Sequence, residues 1–111
     1  EVNEAIQFYD QVISLDANHY AANLNAAILI LSQDEDIVNE MNSLGMSAAD
    51  NKRYQELQED RKNLMKSAAP YFERALQIDD SDSEVKRTLA NIYYQIGEDA
   101  KADKLIEELE N

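Results

Sequence analysis

The spacing of the apolar residues constrains this chain more than any other feature. From Val2 to Leu109 they recur at steps of three and four, which puts their side chains on one face of a helix. No window shows the sustained apolar/polar alternation of a strand. Two Gly and one Pro in 111 residues are also too few for the tight turns of a small β-protein. The reading is all-α, with about five helices.

Val2, Ala5, Ile6, Tyr9, Val12 and Ile13 form the first stripe. It stops at Asp16-Ala17-Asn18, where Asn18 is the expected N-cap of the next helix. The second segment carries Leu24, Ala27, Ile28 and Leu31, then Val38, Met41 and Leu44, with the polar run 32–36 between. A continuous helix is favoured there because the apolar phase is kept. Ser32 and Glu35 have capping-box spacing, so a break is the alternative. Gly45 reads as a helix stop and Ser47 as the next N-cap, opening a segment that runs to Ile78. Pro70 lies inside it and predicts a kink. Ser81 and Glu84 have capping-box spacing before a fourth segment that ends at Gly97. The fifth has Ala102, Leu105, Ile106 and Leu109 on one face.

The segments repeat. Ala68 and Ala102, Phe72 and Ile106, and Ala75 and Leu109 are each 34 residues apart. The run Leu89-Ala90-Asn91-Ile92-Tyr93-Tyr94, with Gly97 and Ala102, resembles the tetratricopeptide repeat, a helix–turn–helix unit of that period. The small residues Ala27, Ala68, Ala90 and Ala102 fall where paired helices must approach closely. The usual Trp is absent, and Asp80 stands in place of the Pro between repeats. The resemblance implies an α–α superhelix in a single domain over 1–111. Residues 1–15 would be the second helix of a truncated repeat, 19–78 an enlarged repeat and 83–110 the C-terminal repeat.

Tyr93 precedes Ala102 by nine positions, whereas the equivalents in the middle repeat are Ile30 and Ala68, an insertion of about 29 residues. If Ala27 faces Ala68, the midpoint falls beside Gly45 and Ser47, the turn signals of the insert. Two equal arms meeting there make a projecting antiparallel hairpin of two long helices, tip near 45–47. The same register sets Asp34 opposite Arg61, Val38 near Tyr54 or Leu57, and Met41 near the same aromatic. A hairpin of this kind resembles a group of bacterial tetratricopeptide proteins of unassigned function.

The chemistry is limited. With no Cys and His19 as the single His, neither a metal site nor a Cys/His catalytic pair is expected. Counted from Asp80, the positions that a calcium loop fills with Gly and Glu hold Val85 and Asn91. Gly45 and Gly97 alone cannot make a phosphate loop. No catalytic residue, cofactor or metal is assigned. A net charge of −13 argues against nucleic acid. No apolar stretch reaches the roughly 20 residues of a membrane span. The expected setting is soluble, cytoplasmic or periplasmic, with upstream sequence expected before Glu1. Residues 1–50 hold nine acids and no Lys or Arg, so the charge selects partners with basic or apolar surfaces.

Surface for protein contact remains. The resemblance implies a groove lined by Leu24, Asn25, Ile28 and Leu31 from one helix and Arg87, Asn91 and Tyr94 from another, with Ala21, Glu84 and Thr88 beside them. Glu84 and Thr88 stand where a carboxylate clamp would want basic residues, so that clamp is not expected. The line Leu24, Ile28 and Leu31 suits an apolar peptide or packing against a preceding repeat, the latter slightly favoured. The first helix can be covered on one side only. Its Ile6, Tyr9 and Ile13 are therefore candidates for pairing two chains. The expected function is a non-catalytic protein-interaction scaffold. The alternative is a regulatory or substrate-presenting module of a larger enzyme or transport assembly.

Overall fold

The structure, a computed structural model, describes residues 1–110. Six helices and no strand occur among them: α1 (Val2–Leu15), α2 (Tyr20–Ser32), α3 (Asp34–Ser43), α4 (Ala48–Ile78), α5 (Ser83–Gln95) and α6 (Asp99–Glu110). Packing follows chain order. α1 lies on α2, α2 and α5 both lie on α4, α6 lies on α5, and α3 runs back along α4. At 1.5 Å per residue α4 is about 46 Å long. It sets the longest dimension of a molecule measuring 48 × 37 × 16 Å.

The core is built where the repeat spacing requires it. Ala27 and Ala68 meet between α2 and α4, and Ala90 and Ala102 between α5 and α6; none is more than 1% exposed. Small side chains there let the helix axes close up, and Ile30, Met65, Phe72, Leu89, Ile92 and Tyr93 fill the space around them.

The loops before α2 and α5 are the same structure made twice. Asp16 and Asp79 each leave the helix in an extended conformation. Each side chain accepts the backbone N–H two residues on, from Asn18 at 3.1 Å and from Ser81 at 3.0 Å. That turn occupies Asn18 and Ser81, the expected caps, and passes the role to the next residue. His19 Nδ1 accepts the Ala22 N–H at 3.0 Å, and Asp82 Oδ1 accepts that of Glu84 at 3.0 Å. α5 ends as expected at Gly97, whose φ of +82° permits the N–H groups of Gly97 and Glu98 to reach the carbonyls of Tyr94 and Tyr93.

The inserted segment is helical in both arms, but the first arm is two helices. Gln33 keeps helical angles (φ −71°, ψ −17°), while its N–H turns to the Ile30 carbonyl at 3.2 Å. Ser32 Oγ donates to the Leu29 carbonyl, competing with the ladder. Asp34, Glu35 and Asp36 then favour a fresh helix N-terminus. The favoured continuous helix is therefore interrupted at one residue, and the Ser32–Glu35 capping box does not form, since no side chain caps α3.

α3 and α4 pair in the expected register. Arg61 Nε donates to both carboxylate oxygens of Asp34, at 2.8 and 3.1 Å. Nearer the tip, Arg53 holds Glu40 through Nε at 2.6 Å and Nη2 at 2.9 Å. Leu57, 2% exposed, is the buried apolar residue of this section. At the tip Ser47 Oγ accepts the Asp50 N–H at 3.0 Å, and Asp50 Oδ2 accepts the Gly45 N–H at 2.9 Å. A Cβ on Gly45 would stand 3.0 Å from that same oxygen, so a larger residue there requires the Asp50 carboxylate to shift. α4 continues unbroken through Pro70, which is exposed. The carbonyl that its missing amide leaves free is that of Lys66, another exposed residue.

Candidate functional site: the groove between α2 and α5

α2 and α5 pack on α4 but not on each other, which leaves a groove with α4 as its floor. Its first section, about 350 Å³, is walled by Leu24, Ile28 and Leu31 of α2 and by Val85 and Thr88 of α5, over Phe72. Asp82 and Glu84 stand at its edge. Ile28 is 52% exposed and stands among the apolar residues of this section. A second section of about 260 Å³ adjoins the first, sharing Leu31 and Thr88, and reaches Asn91, Ile92, Met65 and the Asp34–Arg61 pair.

Of the seven expected groove residues, Leu24, Ile28, Leu31 and Asn91 line these sections. Asn25, Arg87 and Tyr94 do not. Asn25 follows Leu24 by one residue and so lies about 100° round the helix; it is exposed. Arg87 is ion-paired with Glu84 one turn back on its own helix. Tyr94 donates its hydroxyl to Asp103 of α6, which raises its pKa, chiefly through that bond. Thr88 lines both sections, with its hydroxyl bonded to the Glu84 carbonyl at 2.9 Å. Phe72 is one of the apolar residues that recur at the 34-residue period. It is in the core, at 2% exposure, and its edge also floors the groove. Periodicity cannot separate those roles, because both need an apolar residue on the same face.

The groove walls are fixed from behind by Asn23, the one buried polar side chain among the described residues. Its Nδ2 donates to the His19 carbonyl at 3.0 Å, and its Oδ1 accepts from Arg74 Nε of α4 at 2.9 Å. Arg74 also lies over the ring of Tyr71, 4.8 Å from its centroid. Tyr71 donates to Asp10 of α1 at 2.6 Å. Burial first, and that carboxylate second, push its pKa up to about 12. One polar chain thus ties α1, α2 and α4 together. On the opposite side Tyr93 bonds Glu73 of α4, and burial together with that bond holds its phenol well above the ordinary value.

No residue of α1 is fully buried. Ile6 packs against the core cluster, Tyr9 and Ile13 are half-buried, and Phe8 (61% exposed) and Leu15 (90%) face solvent. The three residues expected to pair chains are thus partly used in packing, and the freest apolar side chains are their neighbours. Among the described residues no three His, Cys, Asp or Glu side chains converge as metal ligands. None of the described helices is long and apolar enough to cross a membrane.

No match to a curated protein was found. Residues 64–111 match the tetratricopeptide repeat family. The matched stretch begins on α4 beside Met65 and runs through α5 and α6, so it holds the floor and one wall of the groove. This segment, with its 34-residue period and paired helices, is similar to the tetratricopeptide repeat family.

Proposed function

We propose that the chain is a non-catalytic protein-interaction module that receives an apolar peptide segment between α2 and α5. Tetratricopeptide repeats are in general protein-interaction modules, and the groove has the form and lining such a role requires. The observation that carries the reading is Ile28: half its surface is open, yet it sits among Leu24, Leu31 and Val85 above Phe72. Burying those side chains under a ligand is a hydrophobic gain that the charged surroundings do not offer elsewhere on this face. Packing against a preceding repeat would use the side of α2 that faces α1, whereas Leu24, Ile28 and Leu31 face α5. That favours the peptide reading for these three.

The test is a selection of displayed random dodecapeptides on the immobilised chain. Sequences with apolar pairs should be enriched, and Ile28→Glu should abolish the enrichment while leaving the helical circular dichroism unchanged. Enrichment that survives Ile28→Glu would place the binding surface elsewhere.

A further inference from the structure

The groove does not stop where the repeat does. Its second section shares Arg61 and Gln95 with a third depression of about 410 Å³, in the angle between the hairpin and the end of α5. One stripe of α4 floors all three: Phe72, Met65, Arg61, Gln58 and Tyr54, at steps of seven, four, three and four. Such steps keep residues on a single helix face, so the sections form one trench. From Phe72 to Tyr54 the floor is about 27 Å long at 1.5 Å per residue. That length accommodates about eight residues of extended peptide at 3.3 Å each.

The lining changes along it. The first section is apolar, whereas the third carries Gln55, Gln58 and Gln95, side chains that both donate and accept hydrogen bonds. A peptide backbone, alternating N–H and C=O, matches that property. Two cations lie here with capacity to spare. Arg61 uses Nε alone on Asp34, and neither of its terminal nitrogens meets an acceptor among the described residues. Lys62 forms no ion pair among them. Glu59 in that lining and Asp34 on Arg61 balance the two cations, so this end of the trench is locally neutral on a chain of net charge −13. An acidic ligand here departs from the basic or apolar partner expected from the overall charge.

We propose that the trench as a whole is the peptide site, taking an extended segment whose apolar residues lie over Phe72 and whose acidic side chain reaches Arg61 and Lys62. This rests on the groove reading above and adds its polar half. Phe72 and the two cations are about 16 Å apart along α4, so about five residues separate the acid from the apolar anchor. The trench continues past Arg61 for two turns to Tyr54 and Met41. The bound chain therefore runs on, and the anion is an Asp or Glu side chain within it rather than a chain terminus.

The experiment uses fluorescein-labelled, terminally capped dodecapeptides with two leucines near one end. Five positions beyond the second leucine they carry glutamate, glutamine or lysine, and binding is read by fluorescence anisotropy. The glutamate peptide should bind at least fivefold tighter than the lysine peptide, and Lys62→Glu or Gln58→Glu should remove or reverse that preference. Both positions are exposed, and retained circular dichroism certifies the fold of each variant. Equal binding of the three peptides, lost on Ile28→Glu but unaffected by Lys62→Glu, overturns the extension and leaves the apolar groove standing. Binding by none of them overturns the extension, and binding indifferent to Ile28→Glu overturns both.

Discussion

Asn23 offers the sharpest test of how the groove is held. Asn23→Ala removes the acceptor from Arg74 Nε and the donor to the His19 carbonyl. The two losses are unequal. The His19 carbonyl keeps its ladder bond from the Asn23 backbone amide at 3.2 Å. Arg74 is left without its 2.9 Å partner and, being half-buried, regains water only in part. A hydrogen bond to a charged group contributes about 1.5–3 kcal/mol. With partial rehydration and a small cavity added, the loss comes to about 2 kcal/mol. For a domain of this size that lowers Tm by about 9 °C. Urea unfolding followed at 222 nm measures it, and a double-mutant cycle with Arg74→Ala should show coupling of about 1 kcal/mol or more. A loss below about 0.5 kcal/mol, or zero coupling, would refute the argument that this pair fastens α2 to α4.

Other perturbations probe single elements. Gly97→Ala meets no atom within 4 Å, so its cost is purely that of a φ of +82°, about 1–2 kcal/mol in the same unfolding assay. Tyr71 is one of several alkaline-sensitive phenols: the fold favours its neutral form, so the associated stability is intact below pH 10 and is lost as pH rises through about 12. Titration at 295 nm should show that step vanish in Tyr71→Phe and move down in Asp10→Asn. Pairing of two chains through α1 predicts that Phe8→Glu shifts sedimentation towards monomer at unchanged helicity; a wild type already monomeric contradicts it.

The helices and their order were legible because apolar spacing is a local property. The hairpin was legible for a different reason: helical geometry is rigid enough that counting outward from Ala27 and Ala68 sets Asp34 opposite Arg61, and the ion pair forms there. Such counting fails where a competing hydrogen bond shifts the frame by one residue. Asp16 and Asp79 do this to the caps, and Ser32 and Gln33 interrupt a helix whose apolar phase is otherwise preserved. Side-chain direction was harder to read. Arg87 and Tyr94 fall on the expected helix, yet their polar groups are engaged by Glu84 and Asp103. Asn23 interrupts the mostly apolar run from Tyr20 to Leu31, and only the approach of Arg74, 51 residues away, explains it.

The central claim is that ligand is held between α2 and α5 on the floor of α4. Amide chemical-shift mapping of the 15N-labelled chain with the glutamate dodecapeptide measures it most directly. The account predicts perturbations at Leu24, Ile28, Leu31, Thr88 and Asn91, continuing to Arg61 and Gln58, with Phe8, Ile13 and Leu15 undisturbed. Perturbations centred on α1, or confined to the face of α6 away from α5, would contradict it.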